Sequence, residues 1–168
     1  ASFAGRLLNT LFMVLGWSLI GFRSKATRPD VVVVGTDPVF AVLVAIPLKL
    51  IAPDIKIAHW CFDMHPEAAF ATNTVAEGGL AARLTKAAMR EAYRKCDLIA
   101  DIGVCMRDRL REYGHSAREV ELTPWALDEP KGVEGPDPQV RADLFGDAKL
   151  AILYSGNFGE AHTYEELL

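Results

Sequence analysis

Three polar side chains lie close together in the middle of the chain. Asp63, His65 and Glu67 come directly after a largely apolar run at residues 55–62. An apolar run bounded by turn residues is typical of a buried strand in a parallel sheet, because such strands are covered on both faces. In open α/β sheets, ligands bind just beyond the carboxyl ends of these strands. Chemistry is therefore expected at these three residues.

Two other interpretations of the same residues stay open. Asp63 could cap a turn, with Pro66 ending the strand and His65 exposed in a loop. The three side chains could instead be the metal ligands of a hydrolase, since carboxylate oxygen and imidazole nitrogen both bind metal ions. The sequence has no second cluster of metal-ligating side chains, however, and its three cysteines lack metal-ligand spacing. We therefore predict no metal site.

A second candidate site follows an apolar run near residue 150. Gly156, Asn157 and Gly159 lie between a predicted buried strand at residues 150–154 and a predicted helix that begins near residue 163. Glycine lets the backbone approach a ligand closely, and the free N–H groups of a helix N-terminus bind phosphate. The turn matches no complete dinucleotide or P-loop motif. An ordinary turn that needs glycine for its backbone angles is therefore the alternative.

The elements that must position these residues alternate between strand and helix. Residues 31–34 and 57–62 are predicted to be strands, joined by a helix at residues 39–51. Two further strands are predicted, at residues 97–102 and, half-exposed near the sheet edge, at residues 119–123. Strand–helix–strand units give parallel neighbours with right-handed crossovers. The expected fold class is therefore α/β, with a Rossmann-like parallel sheet and flanking helices.

Length and composition indicate one full domain and the start of another. The 168 residues are enough for one hydrophobic core, and a segment rich in proline and glycine begins near residue 128. We predict a first α/β domain at residues 1–127, a linker at 128–147 and the beginning of a second domain at 148–168. Lys and Arg number 18 against 22 Asp and Glu, for a net charge of −4. This balance argues against a nucleic-acid partner.

The first predicted helix is unusually apolar. No charged residue occurs between Arg6 and Arg23. As a helix, residues 7–22 would span about 24 Å, less than the roughly 30 Å of a bilayer core. The helix is expected either to be buried or to lie on a membrane surface, where flanking Arg and Lys side chains meet anionic headgroups. Since unclustered cysteines favour a reducing compartment, we expect a cytoplasmic protein, peripheral to the inner face of the plasma membrane.

Four short motifs occur in an informative order. They are D-x-x-P-E at residues 63–67, C-M-R-x-R-L at 105–110, P-W at 124–125 and Y-S-G-N-x-G at 154–159. In this order the chain resembles the GT4 family of retaining glycosyltransferases, which have the GT-B fold of two Rossmann-like domains. Within that family it is most similar to bacterial polysaccharide enzymes of the WcaI type and to fucosamine transferases. The resemblance covers nearly the whole chain.

This resemblance implies an enzyme that moves a sugar from a nucleotide-sugar to a glycan or a polyprenyl-diphosphate-linked acceptor. It implies that Asp63 is catalytic, that His65 and Glu67 shape the acceptor pocket, and that Arg107 contacts substrate. The nucleotide-sugar is itself a substrate, so no cofactor is expected. A non-catalytic, membrane-associated α/β binding module remains the alternative of a different class.

The resemblance also implies that the chain is only part of that enzyme. The family's first strands would precede residue 1, and most of the donor-binding domain would follow residue 168. The turn of Gly156, Asn157 and Gly159 would then bind the donor diphosphate. Many relatives place an arginine and a lysine after this turn, whereas this chain has Asn157 and His162 in that region.

Overall fold

The computed structural model describes residues 3–72, 75–124, 135, 137–154 and 156. The chain separates into two compact units, Ala1–Pro124 and Trp125–Leu168. The first unit contains the sheet and most of the helices. In the second unit one helix is described, Pro138–Phe145, and Asp137 caps it by accepting hydrogen bonds from the backbone N–H groups of residues 139 and 140.

The sheet of the first unit has four strands, all parallel. They are β1 (Val31–Val34), β2 (Lys56–Trp60), β3 (Leu98–Asp101) and β4 (Arg118–Glu121), and they lie side by side in chain order. Val34 of β1 is opposite His59 of β2, which is in turn opposite Ile99 of β3. The predicted α/β class, and the parallel pairing of the strands near residues 31 and 57, are therefore confirmed.

Helices connect the strands and flank the sheet. The chain opens with α1 (Phe3–Ser18) and a 3-10 turn (Leu19–Phe22); a second 3-10 turn (Ala41–Val44) leads into α2 (Ala45–Ile51) between β1 and β2. The short α3 (Glu67–Ala71) and the longer α4 (Leu80–Lys95) follow β2, and α5 (Val104–Arg111) joins β3 to β4. The helix of the second unit is α6. The helix predicted to begin at residue 39 starts instead at Ala41, because Phe40 has a left-handed backbone conformation that a helix cannot continue through.

The hydrophobic core lies on one face of the sheet. Since all three crossovers run to the next strand in the same direction, right-handed connections place their helices on the same side. Val34, Ile57 and Ile99 on that side belong to one buried cluster with residues from α2, α4 and α5. Val31 and Val33 point to the opposite face and are 54% and 67% exposed.

Helix α1 has one buried face and one exposed face. Its buried face packs against the 3-10 turn at Ala41–Val44, and the hydroxyl of Thr10 donates a hydrogen bond to the carbonyl oxygen of Val39 at 2.9 Å. The exposed face continues into the turn after α1 and carries six large apolar side chains, which we call the apolar stripe: Leu8, Leu11, Phe12, Leu15, Leu19 and Phe22. Within the described part of the chain, no helix is long and apolar enough to cross a membrane.

The strand predicted at residues 150–154 is not formed. Residues 151–154 have no strand assignment, and the side chains of Leu150, Ile152 and Leu153 are exposed. An isolated strand leaves its backbone N–H and C=O groups without partners, and no strand is described in the unit that contains this segment. The proposed division into residues 1–127, 128–147 and 148–168 stays a prediction.

Candidate functional site

A shallow cleft opens where β1 and β2 end. Gly35 and Thr36 follow β1 and form one side, whereas Asp63 and His65 follow β2 and form the other. The water-accessible space inside the cleft is only about 10 Å³. Ligand pockets usually enclose roughly 300–1,000 Å³. The described residues of the cleft therefore form a contact surface and do not by themselves enclose a ligand.

Asp63 is the acidic group of this cleft. Its side chain is exposed, and within the described residues its carboxylate has no hydrogen-bond or ion-pair partner. The loop around it is held instead through the backbone, since the thiol of Cys61 lies 3.5 Å from the Asp63 carbonyl oxygen. A carboxylate without a protein partner is available to a ligand.

His65 is held next to Phe40. The two rings meet edge to face, with centroids 6.1 Å apart and planes at 71°. Phe40 has φ 67° and ψ 16°, a left-handed conformation that costs a non-glycine residue about 1–2 kcal/mol. Such strained residues persist only when their surroundings hold them, and they are frequent at functional sites. Phe40 thus fixes the cleft wall against which His65 lies.

The deepest polar group of the cleft is His59. It lies within β2, is only 2% exposed, and packs against the ring of Tyr93 with centroids 5.7 Å apart. Its Nδ1 atom is 2.9 Å from the carbonyl oxygen of Val34. Burial lowers the pKa of His59 to about 4, although the hydrogen bond to Val34 acts in the opposite direction. The imidazole is therefore neutral at neutral pH.

Glu67 does not line the cleft. It begins α3, and its carboxylate accepts a hydrogen bond from the hydroxyl of Tyr113, while its Oε2 atom is buried without a partner. Burial and the nearby Glu67 raise the pKa of Tyr113, so its hydroxyl stays protonated and donates. Tyr113 in turn packs edge to face on Tyr93, with centroids 5.0 Å apart. A row of rings therefore separates the Glu67 carboxylate from the ring of His59.

Arg107 is engaged by the protein itself at the end of β3. Its Nε and Nη2 atoms donate to the two carboxylate oxygens of Asp101 at 2.8 and 2.9 Å, and Nη2 also reaches Glu121 at 3.2 Å. The backbone N–H of Gly103 donates to the same Asp101 carboxylate at 3.0 Å. The hydrogen bond to Asp101 is the main reason that the pKa of Arg107 is raised. The predicted substrate contact of Arg107 stays a prediction.

The glycine turn is described only in part. Gly156 lies at an exposed bend of the second unit, and a side chain added there would come within 3.1 Å of the Tyr154 hydroxyl. Asn157 and Gly159 lie outside the described residues. Their predicted contact with a diphosphate therefore stays a prediction as well.

The alternative of a metal centre receives no support from the geometry. Among the described residues, no group of three His, Cys, Asp or Glu side chains could hold a metal ion. Asp63 and His65 share the cleft, but Glu67 is turned towards Tyr113. The three residues therefore do not form the ligand set that a metal-dependent hydrolase would need.

Three residues of this edge were not predicted from the sequence. His59 and Phe40 line the cleft, and Asp101 anchors Arg107. The signal for His59 and Asp101 was a single ionisable residue inside or at the end of an apolar strand, because a buried polar group needs a partner. The sequence has no comparable signal for Phe40, whose importance lies in its backbone angles.

Comparisons with known proteins give no match at three levels. No protein-family model matches the chain. No curated protein and no solved structure matches it either. The function of the cleft must therefore be argued from its own residues.

Proposed function

We propose that the chain is part of a retaining glycosyltransferase that moves a sugar from a nucleotide-sugar to a glycan or polyprenyl-diphosphate-linked acceptor. The observation that carries this proposal is the unpaired carboxylate of Asp63 in a cleft at the carboxyl edge of a parallel sheet. This is the edge at which α/β sheets bind their ligands. The four motifs that resemble GT4 enzymes supply the reaction type.

In this proposal Asp63 acts on charge that develops during transfer. The sugar carries positive charge in an oxocarbenium-like transition state, and a nearby carboxylate stabilises that charge. An exposed carboxylate without a protein partner needs no rearrangement before it meets the acceptor hydroxyl or the sugar. His65, held by Phe40, would contact the acceptor beside it. The amides of the turn at Gly156, Asn157 and Gly159 would hold the departing diphosphate.

The apolar stripe of α1 supports a lipid-linked acceptor. Its six side chains form one continuous helical face with no charge, and the exposed cations Arg23 and Lys25 follow it in the sequence. A helix of this kind lies in the membrane interface, with apolar side chains in the acyl region and cations at anionic headgroups. We place the protein at the cytoplasmic face of the plasma membrane, where polyprenyl-linked acceptors present their sugars.

The transferase proposal is tested with the intact enzyme that contains this chain. The purified enzyme is incubated with single nucleotide-sugars and a polyprenyl-diphosphate-linked glycan, and products are identified by mass spectrometry. We expect an acceptor heavier by one sugar residue and release of the nucleoside diphosphate. Hydrolysis that depends on added metal, without transfer, would favour the hydrolase instead. Vesicle binding without any transfer or hydrolysis would favour the non-catalytic binding module.

The membrane contact is tested separately by flotation with vesicles. The Phe12→Glu substitution places a charge in the apolar stripe, and Leu84→Glu on α4 is the matched control because both side chains are more than half exposed. Burying a Phe side chain contributes about 1.5–3 kcal/mol, so we expect a roughly tenfold to hundredfold loss of binding to phosphatidylglycerol vesicles for Phe12→Glu alone. Equal binding by both variants would contradict the membrane contact.

A further inference from the structure

One ring nitrogen of His59 has a partner in the protein, and the other has none among the described residues. Val34 is the last residue of β1 and lies opposite His59 in the sheet, so its carbonyl oxygen faces Nδ1 at 2.9 Å. A carbonyl oxygen only accepts hydrogen bonds, so Nδ1 must carry the proton. The neutral imidazole then has an unprotonated Nε2 with a free lone pair. Within the described residues no donor reaches that atom.

The free nitrogen of His59 is accessible from the cleft. The residue is only 2% exposed, yet Nε2 is not among the fully buried polar atoms that lack a partner. A Phe or Leu side chain would also fill the space beside Tyr93, but it would present no hydrogen-bond acceptor to the cleft. The ring forms part of the cleft wall next to Asp63 and His65, so a donor can reach it only from the cleft.

The chemistry of Nε2 selects its partner. A lone pair accepts a hydrogen bond from an O–H or N–H group, whereas phosphate and carboxylate oxygens would meet it with lone pairs of their own. A sugar acceptor or donor presents many hydroxyl groups. The bond from Nδ1 to Val34 holds the ring in place, so the direction of Nε2 is set before any ligand arrives.

We propose that Nε2 of His59 accepts a hydrogen bond from one hydroxyl group of the sugar substrate and so positions that sugar beside Asp63. This inference rests on the proposed transferase function, and it adds a residue that touches the substrate from inside the sheet. His59 would act as a fixed acceptor and not as a base. It would therefore determine which hydroxyl-bearing sugars fit the cleft.

Two substitutions separate this role from a structural one. In His59→Asn, the side-chain amide can still donate to the Val34 carbonyl, but the acceptor at the Nε2 position is lost. In His59→Gln, the longer amide reaches the Nε2 position and can present its oxygen there. A hydrogen bond between neutral groups contributes about 0.5–1.5 kcal/mol. We therefore expect a roughly twofold to tenfold higher KM for His59→Asn at little change in kcat, and partial rescue in His59→Gln.

The kinetic test uses the intact enzyme with acceptor sugars that lack one hydroxyl group each. For one deoxy acceptor, the KM of the wild type should be as high as the KM of His59→Asn for the parent acceptor. With that deoxy acceptor, His59→Asn should raise the KM no further. Equal KM values for wild type and His59→Asn with every acceptor and donor would overturn the role of His59. The transferase proposal would be unaffected by that result. Melting temperatures of both variants show whether a KM change reflects loss of folding.

A second measurement needs neither a variant nor activity. In the ¹⁵N-labelled intact enzyme, NMR of the imidazole nitrogens should show His59 protonated at Nδ1 and unprotonated at Nε2. Adding alkyl glycosides or nucleotide-sugars one at a time should shift the Nε2 signal upfield, as a new hydrogen bond does. A shift in the absence of transfer would contradict the proposed function but support hydroxyl binding. An Nε2 signal that no sugar changes would overturn the inference.

Discussion

Two neighbouring strands lead to an acid at the same edge of the sheet, and the two acids have opposite surroundings. Asp63 follows β2, is exposed in the cleft, and has no partner among the described residues. Asp101 ends β3, is 1% exposed, and is held by Arg107 and by the backbone N–H of Gly103. Each lies at the end of a short apolar run, so the local sequence pattern alone does not distinguish their surroundings.

The difference separates stability from function. A buried carboxylate is tolerated only when its charge and its lone pairs are satisfied, and Asp101 meets both conditions through two hydrogen bonds from one guanidinium and one from an amide. Such a closed network stabilises the fold but has little left to offer a ligand. The open carboxylate of Asp63 adds little to stability, and it is free to contact a ligand.

The largest effect that would test this comparison is expected from Asp63→Asn. A carboxylate that takes part in acid–base or charge-stabilising chemistry contributes about 10²–10⁴-fold in rate. We expect a loss of this size in both kcat and kcat/KM, because the interaction is made mainly in the transition state. The melting temperature should hardly change, since the side chain is exposed and unpaired. Steady-state kinetics and a thermal melt of the intact enzyme measure both quantities.

Asp108→Asn is the matched control for this substitution. Asp108 is an exposed acid on α5 whose contact with Arg111, at 3.4 Å, lies on the surface. Its substitution should leave the rate and the melting temperature close to wild type. A near-normal rate for Asp63→Asn, or a rate loss that follows a large drop in melting temperature, would return Asp63 to the role of a turn residue.

The second-largest effect is expected on the stability of the protein, from a substitution at the end of β3. Arg107→Met leaves the buried Asp101 carboxylate without its cation, so the free energy of unfolding should fall clearly. Arg111→Met is the control and should lower it much less, because Arg111 pairs with Glu119 at 2.6 Å on a half-exposed side chain, where ion pairs contribute little. Urea unfolding of the intact enzyme measures both changes. Adding Asp101→Asn to Arg107→Met should recover part of the loss.

The same experiment tests the predicted substrate contact of Arg107. If its main role is to satisfy Asp101, Arg107→Met should lower stability and affect the rate only as far as folding is lost. A variant with normal stability and a KM raised for the donor or acceptor would show that Arg107 binds substrate. That result would also mean that the end of β3 binds substrate, and the contrast between a structural end of β3 and a ligand-binding end of β2 would fail.

Much of the fold could be predicted from the sequence because it depends on local patterns. Short apolar runs separated by helical segments are sufficient to indicate parallel strands, and the strands near residues 31 and 57 pair as predicted. The apolar run at residues 150–154 has the same pattern but forms no strand, since a strand also needs a neighbour. Pattern therefore predicts the type of an element, whereas pairing decides whether it forms.

The site was harder to predict because its partners are distant in the sequence. Asp63 and His65 share the cleft, as their spacing after a strand suggested. Glu67, two residues further on, is instead bound by Tyr113, which is 46 residues away. The tautomer of His59 likewise depends on Val34, a residue of another strand. Such pairings follow from packing between elements, and no periodicity of the sequence contains them.

The smallest effect we expect is a loss of stability in acid. It is caused by protonation of His59, the buried histidine of β2. His59 has a pKa of about 4 in the folded protein against 6.5 for an ordinary histidine. Between these values the unfolded chain binds more protons than the folded chain, so stability rises with pH over this range. As the pH falls from about 6.5 towards 4, stability should therefore decrease. Each tenfold difference in proton affinity corresponds to about 1.4 kcal/mol, so the free energy of unfolding should fall by at most roughly 3–4 kcal/mol.

Urea unfolding of wild type and His59→Gln at a series of pH values isolates this contribution. Glutamine does not titrate, so the free energy of unfolding of the variant should fall less steeply between pH 6.5 and 4. His115 also has a lowered pKa, mainly because it is partly buried, but it is present in both proteins and its contribution cancels. Asp101 and Arg107 are likewise unchanged in both proteins, so a difference in the slope of stability against pH arises from residue 59. Parallel pH profiles would show that the His59 ring is as well solvated in the folded protein as in the unfolded chain, and they would contradict its burial within β2.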